Sequence, residues 1–193
     1  MTLDSYHHGD LRNALIEAGI ALINELGPVQ FSLRKVAARC GVSQAAPYSH
    51  FNSKEDLLLA MQEHVTNLLM EALLEAVNTC PDQKNPVVLI RMGKAYVMFF
   101  IRHPQYFSFL FSQPIMTVNL SLSGDDTGNF PPYQLMKTMT GRIFGDALTK
   151  EKTEDVIIAA WATVHGLAAI ATMKNIRYDK DWESKIEDII WNR

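Results

Sequence analysis

Apolar residues recur along this chain at the three- and four-residue spacing of helices that bury one face, and they sustain no every-other-residue alternation. Leu11, Leu15, Ala18, Leu22 and Leu26 fall on one face of a first helix, which Gly27-Pro28 stops. Ser32 is placed to cap a short second helix that turns Leu33, Val36 and Ala37 inward, and Gly41 supplies the left-handed residue that ends it. Ser43 is placed to cap a third helix, Gln44 to about Phe51. Ser53-Lys54-Glu55-Asp56 has the form of a capping box opening a long helix towards Asn78.

A polar connector bracketed by Pro81 and Pro86 follows. The next helix carries Val88, Met92, Ala95, Tyr96, Phe99 and Phe100 and stops before Pro104, and Gln105 to Phe111 forms a short aromatic-rich helix. From Ser112 to Pro132 the composition shifts to Ser, Gly, Asp, Asn and Pro, which predicts a long mobile loop. Tyr133 to Leu148 and Glu154 to Asn175 read as helices, and a last one carries Trp182, Ile186, Ile189 and Ile190. The expectation is an all-α chain of about nine helices, without sheet, repeat or low-complexity tract.

Val156 to Met173 lacks Asp, Glu, Lys and Arg and approaches the minimum length of a membrane span, roughly 17 residues. It is built largely from Ala, Thr and Gly with one His, a composition that gains little from insertion, so a helix buried in a core or subunit interface is expected, with no membrane partner. No secretory signal opens the chain, and Cys40 and Cys80 stand alone without CxxC spacing, which fits a reduced, cytoplasmic protein.

Charge alters the picture locally. The 193 residues carry a net charge of -3, so nucleic acid is not bound by bulk charge, yet Phe31 to Lys54 holds Arg34, Lys35, Arg39 and Lys54 with no Asp or Glu. Ala37, Gly41 and Val42 follow helix-turn-helix logic: a small residue where two helices touch, Gly at the turn, and an apolar plug. In such units the second helix enters the major groove and its first residues meet base edges. Gln44 has the paired donor and acceptor suited to adenine, while Ala45, Ala46 and the Pro47 ring offer apolar surface to a thymine methyl. Tyr48, His50 and Lys54 are placed for phosphate, and Ser32 presents a helix N-terminus to another. Ser32, Arg34, Ser43, Gln44, Ala45, Pro47, Tyr48, His50 and Lys54 are the expected DNA-binding residues.

These residues carry a resemblance. The pattern Ser32-Leu33-x-x-Val36-Ala37-x-x-x-Gly41-Val42-Ser43-x-x-x-x-Tyr48-x-His50-Phe51-x-Ser53-Lys54-x-x-Leu57 resembles the DNA-binding domain of the TetR family of transcriptional regulators. Tyr6-His7-His8-Gly9-Asp10-Leu11-Arg12 and Trp161-Ala162-Thr163-Val164-His165-Gly166 are similar to a subgroup with a C-terminal Trp-x-x-x-His-Gly signature. The resemblance implies a DNA-binding domain over residues 8–68 and a ligand-binding and dimerisation domain over 69–193. It implies a homodimer of all-helical, Ω-shaped subunits on a palindromic operator, usually a repressor that a small molecule releases. Where the family often has Gly or Lys as the second residue of the reading helix, this chain has Ala45 followed by Ala46-Pro47, which leaves the operator unassigned.

In the C-terminal half, Ala159, Ala162, Gly166 and Ala169 form a small-residue stripe that suits close helix approach, and with Ile186, Ile189 and Ile190 it suits the dimer bundle the resemblance implies. Tyr96, Phe99, Phe100, Phe107, Met136, Met139, Ile143, Trp161 and His165 are candidates for a ligand cavity. Their composition points to an apolar or aromatic effector held with one or two polar contacts; aromatic and Met residues at this spacing also serve as plain core. A buried His165 needs a partner, and a structural role beside Gly166 is the simpler expectation. His7-His8 lacks a third metal ligand, and no cofactor motif such as GxGxxG, a P-loop, GxSxG or HExxH occurs. Two further readings stay open: a DNA-binding adaptor without ligand, and an all-α enzyme using His165, for which no second catalytic group stands at a recognisable spacing.

Overall fold

The computed structural model describes residues 11–111, 116–123 and 129–191, and these form eight α-helices and two 3-10 turns, with no strand among them. Helix α1 (Leu11–Gln30) buries Leu15, Ile16, Ile20, Leu22 and Ile23, and Gly27, at φ 75°, breaks it before a last turn that Pro28 opens. Helix α2 (Leu33–Arg39) is capped by Ser32, whose Oγ accepts from the Lys35 N–H at 3.3 Å. Its end is a two-bond left-handed cap: Val42 N–H reaches the Ala37 carbonyl at 3.1 Å and Gly41 N–H the Ala38 carbonyl at 3.2 Å, with Gly41 at φ 68°.

Helix α3 (Lys54–Asn78) begins as its capping residues predict, with a variation. Ser53 Oγ accepts from Asp56 N–H at 3.0 Å, and the Asp56 carboxylate reaches back one residue further than expected, to the Asn52 N–H at 2.9 Å. Its 25 residues span about 37 Å. The first half packs on α1, where Met61 Sδ comes within 2.8 Å of the point a Cβ on Gly19 would occupy, and Leu73 in the second half reaches the C-terminal helices. The expected boundary between residues 68 and 69 therefore falls inside one unbroken helix.

Helix α4 (Val87–Arg102) is the centre of the second half and packs on α3, α7 and α8. Gly93 lets it come close: a Cβ there would stand 3.0 Å from Val164 on α7 and 3.1 Å from Ile190 on α8. Helices α5 (Pro104–Phe111), α6 (Pro131–Phe144), α7 (Lys150–Thr172) and α8 (Trp182–Trp191) complete the layer. Helix α7 starts four residues earlier than its apolar pattern shows, because Thr149 caps it by accepting from Lys152 N–H at 3.3 Å. Nine helices were counted from the sequence by taking the reading segment as one; it is a 3-10 turn.

Parts of the expected mobile loop, residues 112–115 and 124–128, lie outside the described residues, as does the Tyr6-to-Asp10 motif. The described part is anchored, contrary to the expectation of mobility. Lys137 Nζ donates to the Ser121 carbonyl at 2.7 Å, the Glu154 carboxylate accepts from Leu122 N–H at 2.7 Å, and Asn129 accepts from Asn119 N–H at 2.9 Å. Composition registered the polar residues of this segment; two of the three anchoring partners, Lys137 and Glu154, lie on α6 and α7, outside it.

Among the described residues α7 alone is long and apolar enough to cross a membrane by length and composition, at a mean hydropathy of 1.5. It is two-sided within the fold. Thr153, Ile157, Val164 and Ala168 are buried, while Ile158, Ala162, Ile170 and Met173 are exposed.

Candidate nucleic-acid interface and internal cavity

The segment after the Gly41 turn is a projecting surface. Ala46–Ser49 makes one 3-10 turn, because Pro47 has no N–H and the bonds that form close over three residues, Ala46 to the Ser43 carbonyl at 3.0 Å and Tyr48 to the Ala45 carbonyl at 3.1 Å. The expectation that Ser43 caps this segment is corrected: Ala45 is the N-cap, without a side-chain cap bond, and Ser43 contributes its carbonyl to the turn while its side chain is exposed. Gln44 and Ala45 are exposed, and Tyr48 stands 59% exposed, with its ring away from the core. Pro47 is a correction: it is buried and forms the base of the turn, so its ring offers nothing to a base edge. His50 is half-buried beside Phe51, with ring centroids 6.3 Å apart.

The cations divide. Arg34 and Lys35 are exposed on α2. Arg39, counted in the cationic island, is neutralised by a bidentate pair with Glu25 at 2.6 and 2.8 Å, a contact that holds the Glu25 carboxyl below its usual range. Lys54 is half-committed: Nζ donates to the Pro28 carbonyl at 2.8 Å and lies 5.7 Å from the centre of the Phe31 ring. Arg12, absent from the expected set, is exposed and rests its guanidinium 5.3 Å over the Phe51 ring, which follows the reading turn. Its signal was the stacking partner Phe51, which no local pattern connects to it.

The C-terminal layer holds a cavity of about 360 Å³ among α3, α4, α6, α7 and α8. Of the nine candidates, Tyr96, Met136 and Trp161 line it. Phe100 and Met139 are closed core, Ile143 is half-buried beside that core, and Phe99 lies on another groove, between α3 and α4. Phe107 and His165 stand behind the wall, with ring centroids 5.1 Å apart. The sequence missed Leu89 and Gly93 on α4, Tyr133 on α6, and Ala160, Thr163 and Val164 on α7. Val156 and Ala159 border the cavity and are exposed, which marks its mouth.

His165 Nδ1 lies 3.1 Å from the Tyr96 hydroxyl. The two groups share one hydrogen bond, with the tautomer of His165 setting which of them donates. Burial pushes the Tyr96 phenol well above its usual range and lowers the His165 imidazole, so both stay neutral. Phe107, Phe111 and Trp161 surround the imidazole, with Phe111 nearest at a centroid distance of 4.5 Å. Helix α5, which carries those phenylalanines, is fixed on its other side to α1. The Tyr106 hydroxyl donates to Glu17 Oε1 at 2.6 Å, His64 Nε2 meets the same oxygen at 2.7 Å, and Asn24 Nδ2 donates to the Gln105 carbonyl at 2.8 Å. No cluster of three or more metal-ligating side chains occurs among the described residues.

A helix-turn-helix with an outward reading turn, joined by a continuous helix to an all-helical layer, defines a DNA-binding transcriptional regulator with a separate second domain. Residues 15–61 match the model of the bacterial regulatory proteins of the tetR family, and residues 89–190 match a tetracyclin repressor-like C-terminal domain. The chain belongs to the TetR family. It is 34% identical over 71 residues to the HTH-type transcriptional regulator BetI of Klebsiella pneumoniae, and 45% identical over 51 residues to the class A tetracycline repressor protein of transposon 1721 from Escherichia coli. These matches cover 37% and 26% of this chain, and the chain spans 36% and 24% of those two relatives. Solved structures share the fold over nearly the whole length. A TetR-like transcriptional regulator from Rhodococcus sp. RHA1 superposes with a TM-score of 0.68 at 18% identity, covering 95% of each chain. A fatty acid degradation regulator, FadR from Bacillus halodurans, gives 0.64 at 17% identity, covering 93% of this chain and 92% of its own.

Proposed function

We propose that this regulator is a ligand-responsive, cytoplasmic homodimer, a repressor that leaves a palindromic operator when a small apolar or aromatic molecule fills the cavity. The observation that carries the reading is α5, which touches both ends of the device. Phe107 and Phe111 pack on His165, itself bonded to Tyr96 on the cavity wall, and Tyr106 and Gln105 hold α1 of the DNA-binding unit. A ligand that displaces Tyr96 or Trp161 shifts α5 and the reading turns together. Differential affinity of a few kcal/mol between two such arrangements is enough to empty an operator.

In this reading Gln44 and Ala45 face bases. Ser32, Arg34, Ser43, Tyr48, His50 and Lys54 face phosphates, with Arg12 added and Pro47 removed. Two copies are needed to read two half-sites roughly 34 Å apart or a multiple of that. The second copy covers the exposed apolar stripe of α7 together with Ile189 and Trp191 of α8. Ile186 and Ile190 are not part of that surface, since Ile186 is fully buried and Ile190 borders the cavity.

Selection of bound duplexes from a random pool tests the reading. A recovered site with two-fold symmetry, and loss of binding to it in Gln44→Ala and Tyr48→Ala, is the expected outcome; asymmetric sites or unchanged affinity would sink it. Ala162→Glu, in the centre of the exposed stripe, yields monomers by sedimentation and weakens operator binding.

A further inference from the structure

The cavity carries information about its occupant in what its wall lacks. The sequence led to an expectation of one or two polar contacts to the ligand. The folded wall has polar atoms, but its three hydroxyls are paired inside the protein. The Tyr96 hydroxyl is paired with His165 Nδ1 at 3.1 Å, the Tyr133 hydroxyl donates to the Leu120 carbonyl at 3.2 Å, and the Thr163 hydroxyl donates to the Ala159 carbonyl at 2.7 Å.

One helix N-terminus also reaches the cavity, and such an end ordinarily receives anions through its free N–H groups. Here that end is α6, whose first two residues are Pro131 and Pro132, which have no N–H to give. The next two N–H groups, of Tyr133 and Gln134, are taken by the Phe130 carbonyl at 3.0 and 3.2 Å. Among the described residues no Lys, Arg or His side chain borders the cavity. Two cations on the same helices are engaged elsewhere, Lys94 with Glu187 at 3.1 Å and Lys137 with the Ser121 carbonyl at 2.7 Å.

We infer that this cavity selects against acceptors and anions: its occupant is a neutral, hydrocarbon-rich molecule held by shape and apolar contact, without a hydrogen bond from the protein. A buried carboxylate, sulfonate or phosphate would lose its water and find no cation to pair with. At interior packing density the volume suits roughly a dozen to fifteen non-hydrogen atoms, about the size of a substituted naphthalene. The inference rests on the reading that the cavity is the effector site, and it adds the chemical class the site accepts and refuses.

The test is calorimetric titration of the full-length protein with three matched probes: 1-ethylnaphthalene, 2-(1-naphthyl)ethanol and 1-naphthaleneacetate. The hydrocarbon binds most tightly, the alcohol roughly fivefold or more below it, and the carboxylate more weakly still. Tyr96→Phe leaves the hydrocarbon and alcohol affinities unchanged. Ala160→Leu inside the cavity, or Val156→Trp at its exposed mouth should Ala160→Leu misfold, abolishes binding while unliganded operator affinity persists. A carboxylate that binds as tightly as the hydrocarbon overturns the inference, as does an alcohol that owes a tenfold advantage to the Tyr96 hydroxyl. Operator release by the same probes is followed in parallel. Release by the carboxylate alone would refute the selectivity and leave the ligand-responsive reading standing, whereas binding without release by any probe would refute the ligand-responsive reading and leave the selectivity standing.

Discussion

Replacing Gly41 by alanine isolates the contribution of one backbone angle to this machine. The residue sits at φ 68°, where a Cβ costs roughly 1–2 kcal/mol against the following carbonyl. No atom lies within 4 Å of the position that Cβ would take, so steric crowding adds nothing. Alanine also narrows the unfolded ensemble, which returns about 0.4–1 kcal/mol. The expected net loss is about 1 kcal/mol, or roughly 0.4 M in the urea midpoint for a chain of this size. Gly141 is the matched control. It is exposed within α6, outside the left-handed region and equally free of neighbours, so Gly141→Ala should stabilise by about 0.5–1 kcal/mol. Both are measured by urea denaturation at equal protomer concentration, since association shifts apparent stability. If the two substitutions moved the midpoint in the same direction, the assignment of the cost to backbone conformation would be wrong.

Other consequences follow from the site geometry. Arg34→Ala should reduce the slope of log operator affinity against log salt by about 0.9, whereas Arg39→Ala, whose charge Glu25 already matches, should leave it unchanged. Tyr106→Phe removes a donor from Glu17 and should cost about 1 kcal/mol in urea, at the low end for a charged acceptor because that carboxylate is half-exposed. His165 has a lowered folded pKa, so the unfolded chain binds the extra proton first. Its contribution to stability is complete above the unfolded value near 6.5 and declines as pH falls below it, and His165→Gln should flatten that part of the acid limb in a pH series of urea melts.

What the sequence discloses here is whatever a short stretch decides for itself. The Ser32, Gly41 and Ser53 caps each depend on residues within four positions, and all three take the expected roles. The reading segment diverged because Pro47 combines two local effects: it removes an N–H, and its buried ring draws the turn inward, so a pattern with helical spacing closes as a 3-10 turn. Arg39 diverged for a longer-range reason. Its partner Glu25 lies fourteen residues back on another helix, and no count of charges within a window reveals such a pair.

The cavity was harder to read than the fold because lining a void is a property of five helices at once. Phe100 and Tyr96 share a face of α4 four residues apart, yet one is closed core and the other borders the void. Gly93, which lets α4 approach Val164 and Ile190, lies on the cavity wall about one turn from Tyr96. Small residues such as Ala160 carry no functional signal in sequence, yet their missing side-chain volume makes the space. The same holds for Pro131 and Pro132. In sequence they mark a helix start, and only the place of Pro132 on the cavity wall shows that the pair also removes donors an anionic ligand would use.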